Sequence, residues 1–531
     1  MPFLLMVFLV LVCLPDVKTW PEPPWTNSPW ACVVVTWLAV LLASLHAYLT
    51  ARRVRRRLES EPSRRERLLS RYERGRFRQQ IGLFVLFLLS LLVFGWGWAV
   101  AQLWRWHAHT LPGAELWVLA PFVAAHLLAW SACYDAERAA HHLLASEPHV
   151  EDWLEPERTP AGTSDPFGSR ASYVLFQLRQ KMALAFLPVL LLQFLKELQR
   201  FFPDAGQNWP KTVNVLGIAV VLMVFASLPW VVRLALGLRP LPAGPLRDRL
   251  EASARRLRFR CSNLLLWNTR HGMANAFVIG IVPWIRYVVF TDRLVEDFTP
   301  EEIEAVLGHE VGHVRHHHML YYFSFLIASV VVLGWGITEL ARDWPWGRLL
   351  ETDDTKYWSA LPLVGILLSY IFVVFGFLSR RCERQADVFG CRAVSCPRPD
   401  CCGHEDGLAS ARGDVNLCPT GINTFIRALE KVAIVNGISR DRPGFLQSWQ
   451  HSTIGRRVEF LRSILLDANV EKRFQRRVAL VKWLLLLVLG GALALILARE
   501  SSRPVKPPTS GVEQSRRAGG VNPLLREETG R

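Results

Sequence analysis

The chain has 531 residues, 51% of them hydrophobic, with 62 Lys and Arg against 46 Asp and Glu and a net charge of +16. The apolar residues come in long uncharged blocks, which excludes a plain set of soluble domains and reads as lipid-facing helices. The arginines cluster beside those blocks, so the charge is assigned to membrane orientation and contact with anionic lipid, and nucleic-acid binding is excluded.

From the N-terminus, the apolar run 3–14 is short and has no basic residue ahead of it. Residues 1–29 are read as a signal peptide or a first membrane helix. Spans follow at 30–49, 81–104, 116–133 and 213–232, each long enough, or nearly so, to cross about 30 Å at 1.5 Å per residue. The run 182–195 is shorter and is read as a further pass, with a buried or re-entrant helix as the alternative. Together these make 30–235 an N-terminal multi-pass membrane region. The loop 51–78 is dominated by arginine and is placed in the cytoplasm. Counting passes forward returns 233–318 to that side, in agreement with Arg247, Arg249, Arg255, Arg256, Arg258 and Arg260. The stretch 151–172, rich in Pro, Gly and acidic residues, reads as an exposed loop.

Residues 236–478 are predicted to form a further domain that includes a transmembrane hairpin at 320–378, with spans at 320–337 and 358–378. A last membrane helix follows at 479–498, centred on the apolar run 483–498. The tail 499–531 is polar and predicted to be disordered.

Thr299-Pro300-Glu301-Glu302 predicts a helix start, with Thr299 as N-cap, Pro in the first turn and Glu302 as the reciprocal cap. The helix carries His309-Glu310-Val311-Gly312-His313. Histidines four apart share one helical face about one turn from each other, so both imidazoles can reach one metal ion. Glu310 projects beside them, placed to take a proton from water. A catalytic zinc of this kind needs a third protein ligand and an open position. Glu383 is the candidate, with Asp387 on the same helical face to receive the N–H of a ligand histidine. Two spans separate His313 from Glu383, and an even number returns the chain to the face it left.

With these residues in place, the sequence resembles the integral-membrane gluzincins that include the HtpX-type and CAAX prenyl proteases. The family pattern is an H-E-x-x-H helix, a transmembrane hairpin, then S-R-x-x-E-x-x-A-D, met here by Ser379-Arg380-Arg381-Cys382-Glu383-Arg384-Gln385-Ala386-Asp387. Ala274-Asn275-Ala276-Phe277 resembles the family's Asn-Ala segment, followed by an apparent strand at Arg286–Thr291. The resemblance implies that this region supplies an edge strand along which substrate lies, with Asn275, Ala276 and Phe277 as substrate-binding residues. His451-Ser452, then Arg457-Val458 and Leu461, resembles a further segment, with serine where the family has proline. It implies that His451 hydrogen-bonds the oxyanion and that Arg457 braces the site. The resemblance covers residues 246–466, and the N-terminal passes outnumber those of the HtpX pattern.

Two features stand outside it. His316, His317 and His318 are read as capping the next helix, with accessory metal binding as the alternative. Six of the ten cysteines fall between Cys382 and Cys418. Within 391–418, Cys391, Cys396, Cys401, Cys402, His404 and Cys418 fit no standard zinc ribbon or finger. They are read as reduced thiols, with a structural ion held by four of these groups as the alternative.

The expected fold is mainly α, a multi-pass transmembrane helical bundle with a zincin-type α+β catalytic domain. The expected activity is zinc-dependent hydrolysis of peptide bonds in membrane-associated or misfolded proteins. One catalytic zinc is expected, on the cytoplasmic face of a bacterial membrane. The alternative is a catalytically idle membrane scaffold or transporter with a vestigial zinc site, against which the intact Glu310 argues.

Overall fold

The computed structural model describes residues 20, 22–60, 65–104, 114–145, 168–182, 190, 223, 226–270, 272–343, 356–396, 401, 417–441, 452–467 and 469–501. The readings at 3–14, 151–167, 183–189 and 191–195, most of the span at 213–232, and the tail beyond 501 lie outside them. So do Cys402, His404 and His451.

The N-terminal region is helical: α1 (Pro29–Ser60), α2 (Arg65–Leu92), α3 (Trp96–Trp104), a short 3-10 turn (Ala114–Leu119), α4 (Ala120–Ala145) and α5 (Arg170–Lys181). Among the described residues, four helices are long and apolar enough to cross a membrane: Pro29–Leu58, Arg74–Leu92, Leu116–Ala140 and Asn469–Arg499. The chain is a membrane protein.

Two expectations are corrected here. Much of the basic stretch 51–78 is not loop but the helical ends of α1 and α2, because Arg, Leu and Glu favour helix once the chain leaves hydrocarbon. The span 81–104 is two helices, broken at Gly95, whose φ of +72° few other residues tolerate. A Cβ there would also lie 2.6 Å from Pro23 Cγ.

The chain divides into two compact units, residues 1–319 with 376–471, and 320–375 with 472–531. The second holds parts of α9 (His318–Asp343), α10 (Lys356–Ala393) and α13 (Asn469–Ser501). Within it the predicted hairpin arms pair, with Tyr322 against Phe375 at 4.9 Å and Phe325 against Tyr370 at 6.3 Å between ring centroids.

The first unit also holds β1 (Arg239–Pro240), α6 (Pro245–Arg256), β2 (Asn263–Trp267), β3 (Ala276–Ile279), β4 (Tyr287–Thr291), α7 (Asp292–Asp297) and α8 (Pro300–Arg315). Helices α11 (Pro419–Val435) and α12 (Ile454–Leu466) follow. The strands form one sheet in the order β1-β2-β4-β3, with β2 parallel to β4 and the other pairs antiparallel. Successive side chains point to opposite faces. Leu264, Ala276, Val288 and Phe290 enter the core that also contains Ile303, Leu307 and Val311 of α8. Leu265, Trp267, Tyr287 and Val289 form the other core. Both faces are covered, which is why β2 and β4 read as apolar runs instead of alternating.

Candidate metal centre

Helix α8 starts as its sequence dictates. Thr299 Oγ1 accepts the N–H of Glu302 at 3.3 Å, and Glu302 Oε2 accepts the N–H of Thr299 at 3.1 Å. This capping box satisfies two otherwise unpartnered donors and fixes where the helix begins. His309 and His313 then fall a turn apart, with their Nε2 atoms 3.2 Å from each other.

The third side of the site depends on how closely α10 approaches α8. A Cβ on Gly308 would lie 2.3 Å from the Cβ of Ala393, and one on Gly312 would lie 2.9 Å from the Cβ of Phe389. The glycines let the two helices meet almost backbone to backbone. Glu383 of α10 thus brings Oε1 to 3.5 Å from His313 Nε2 and Oε2 to 3.8 Å from His309 Nε2. One ligand atom from each of the three residues lies within 4.8 Å of the others. Nitrogen and oxygen ligands 2.0–2.1 Å from a tetrahedral zinc stand about 3.3 Å apart, so this donor set fits zinc in both chemistry and spacing.

A second layer holds these groups. Asp387, a turn after Glu383, is fully buried, with Oδ1 3.0 Å from His309 Nδ1. Its Oδ2 accepts the N–H of Arg457 Nε at 2.8 Å, and Arg457 Nη2 donates to Oδ1. Burial opposes the charge on Asp387, but Arg457 and His309 outweigh it and hold the carboxyl below the usual carboxylate range. Burial likewise opposes a charge on His309, yet the bond and charge of Asp387, with Glu383 and Glu310 nearby, keep its pKa above the ordinary histidine value. Glu310 is half-buried between the two histidines in sequence.

His316 is the C-cap of α8, not a cap of the next helix, and His318 is the first residue of α9. His318 does more. It is fully buried, its Nδ1 lies 3.0 Å from His313 Nδ1, and its Nε2 lies 3.1 Å from Gln385 Oε1. Gln385 and His318 stand to His313 as Arg457 and Asp387 stand to His309. Phe425 of α11 stacks on His309 at 5.8 Å between ring centroids, with 20° between the planes. Gln385 and Phe425 carry no metal-ligand signal in the sequence, and only tertiary packing reveals them.

The strand expected at Arg286–Thr291 forms at Tyr287–Thr291, but all five of its residues are buried in the sheet interior. One edge of the sheet is β3, which contains Ala276 and Phe277 and directly follows Asn275. Asn275 anchors its start, accepting the N–H of Thr291 at 3.0 Å and donating its own N–H to Thr291 Oγ1 at 2.8 Å. Alternation along an antiparallel ladder then turns Phe277 and Ile279 inward for pairing and the backbone groups of Ala276 and Val278 outward. The Asn275 side chain is exposed, Ala276 is buried and Phe277 is half-buried against Trp267.

Residues 240–401 match the model of peptidase family M48. The chain is similar to an HtpX protease homolog of Methanocaldococcus jannaschii, 28% identical over 126 residues, covering 22% of this chain and 42% of that protein. It is also similar to a CAAX prenyl protease 1 homolog of Arabidopsis thaliana, 34% identical over 161 residues, covering 28% of this chain and 37% of that one. The chain thus spans less than half the length of either relative. The crystal structure of S. mikatae Ste24p aligns with a TM-score of 0.42 at 16% identity, covering 83% of this chain and 99% of that one. The matched residues, 240–401, hold both histidines and both carboxylates of the site.

Proposed function

We propose that the chain is a zinc-dependent membrane endopeptidase that hydrolyses peptide bonds in membrane-associated or misfolded proteins. The observation that carries this reading is the convergence of His309, His313 and Glu383 with Glu310 on the same helical segment. His309, His313 and Glu383 would hold the ion through two imidazoles and one carboxylate, the donor set of a catalytic site with one position left open. When bound there, the ion would supply Lewis acidity toward water and a carbonyl oxygen. Glu310 takes the proton of the attacking water and passes it to the leaving amine. Asp387 keeps the proton of His309 on Nδ1, so that Nε2 presents its lone pair. Arg457 balances the charge of Asp387 within the protein.

Substrate lies extended beside β3, held through backbone groups and therefore tolerant of sequence. The role of His451 at the oxyanion rests on the resemblance alone. Lipid surrounds the apolar helices, and the arginines of α1 contact its anionic headgroups on the cytoplasmic side of a bacterial membrane.

The test is Glu310→Gln, which keeps size and hydrogen bonding but removes the base. Zinc content and folding should match wild type, while cleavage of a membrane-protein substrate falls about 10²–10⁴-fold. Cleavage at the wild-type rate would refute the mechanism.

A further inference from the structure

Three thiols meet at a place that peptide hydrolysis does not use. Cys396 follows the end of α10, Cys401 lies beyond it, and Cys418 is the N-cap of α11. Their Sγ atoms lie within 4.8 Å of one another. The three residues are 3%, 6% and 0% exposed, and none is in a disulfide. Thiolate ligands 2.3 Å from one tetrahedral zinc stand about 3.8 Å apart, so the cluster needs little rearrangement to hold an ion.

The surroundings place polar partners around the sulfurs. Cys418 Sγ accepts the N–H of Gly421 at 3.3 Å and that of Cys396 at 3.4 Å. Two backbone donors are thus aimed at one buried sulfur at a helix N-terminus, and they would remain as hydrogen bonds to a metal-bound sulfur. Cys401 Sγ lies 3.3 Å from Thr420 Oγ1. The frame around the cluster is tight. Ser395 Oγ donates to the carbonyl of Cys391 at 2.8 Å and accepts the N–H of Cys418 at 3.2 Å. A Cβ on Gly421 would meet Ser395 Oγ at 2.3 Å. Three adjacent thiolates in so buried a place repel one another and lose hydration, and a bound cation removes both costs. Cys391 is a contrast within the same frame, since burial pushes its thiol well above the ordinary range and it stands outside the cluster.

We propose that Cys396, Cys401 and Cys418 hold a zinc ion, separate from the one proposed at His309, His313 and Glu383. Soft thiolates select zinc over the hard divalent cations. The ion would tie the end of α10, the helix that carries Glu383 and Asp387, to the start of α11, the helix that presents Phe425 to His309. The proposal does not depend on the activity proposed above.

The experiment separates the two ions. Full-length protein carrying His309→Ala and Glu383→Ala is purified in detergent without chelator, and its metals are measured by plasma mass spectrometry. We expect wild type to hold two zinc ions per chain, the double variant one, and the double variant with Cys396→Ser and Cys418→Ser none. Adding Cys391→Ser to the double variant instead should leave one ion in place. Because the serine variants alter a buried site, a second measurement uses intact cysteines. Cobalt loaded into the His309→Ala, Glu383→Ala protein should give intense thiolate-to-metal absorption, and the three thiols should resist alkylation until a chelator is added. The proposal is overturned if the double variant carries no zinc, if it carries iron instead, or if mass analysis finds two of the three sulfurs joined in a disulfide.

Discussion

Asp387 is the side chain on which the geometry of the centre turns, because it faces His309 and a buried guanidinium together. In Asp387→Asn the positive charge of Arg457 stays buried, and the nearest remaining carboxylate is Glu383, whose Oε2 is 3.8 Å from Arg457 Nη1. Breaking one side of such a pair costs about 3–5 kcal/mol. Losing a group that orients a ligand typically weakens metal binding about 10–100-fold. We therefore expect lower thermal stability and lower zinc affinity together, read by melting in detergent and by competition with a chromophoric chelator. The sign with pH follows from the lowered pKa of Asp387. Its stabilisation is fully present above the unfolded aspartate value of about 3.9 and is lost as pH falls through the lower folded value. The variant should lack that acid limb. Wild-type zinc affinity in Asp387→Asn would show that His309 is oriented by something else.

At the scale of elements, α8 and α10 meet through glycine, and the site exists because they meet so closely. Gly308→Ala places a methyl group 2.3 Å from Ala393 Cβ and 3.2 Å from Gly390 Cα. Overpacking of this kind costs about 1–3 kcal/mol, and the helices can relieve it only by separating, which draws Glu383 away from the histidines. Gly308→Ala should lose zinc with little loss of helix content, whereas Gly75→Ala, which meets nothing within 4 Å, should change neither. Zinc content and circular dichroism give both readouts, and full zinc in Gly308→Ala would argue against this account of the packing. The capping box and the four-residue histidine spacing are legible in the sequence because each is a local feature of one helix. Glu383 is legible through topology, since the sequence reading puts two spans, an even number, between it and His313. Gln385 and Phe425 are not, because Gln385 reaches His318 and Phe425 reaches His309 only through the packing of distant parts of the chain, and the contact of His318 with His313, though five residues away, depends on the turn between α8 and α9. The break at Gly95 is hidden for another reason, as hydropathy registers composition and carries no information about a backbone dihedral.

For the whole molecule, the sidedness of the site can be tested through the hairpin. A cysteine introduced at Leu350 should react with an impermeant thiol reagent in sealed cells, above the background of the native thiols. Arg255→Cys, on exposed basic α6, should react only once the cells are opened. Labelling of both from one side would sink the cytoplasmic placement. The edge strand sets a further limit on how the proposed enzyme works. β3 is four residues long, and it turns the backbone groups of only Ala276 and Val278 outward, one of which already donates its N–H to Asn275 Oδ1 at 3.0 Å. So short an edge is a poor template for pairing with another copy of the chain, which protects it from aggregation. It is an equally poor grip on a passing peptide, so a bound chain has a short dwell time and turnover favours chains that membrane attachment keeps returning to the same spot.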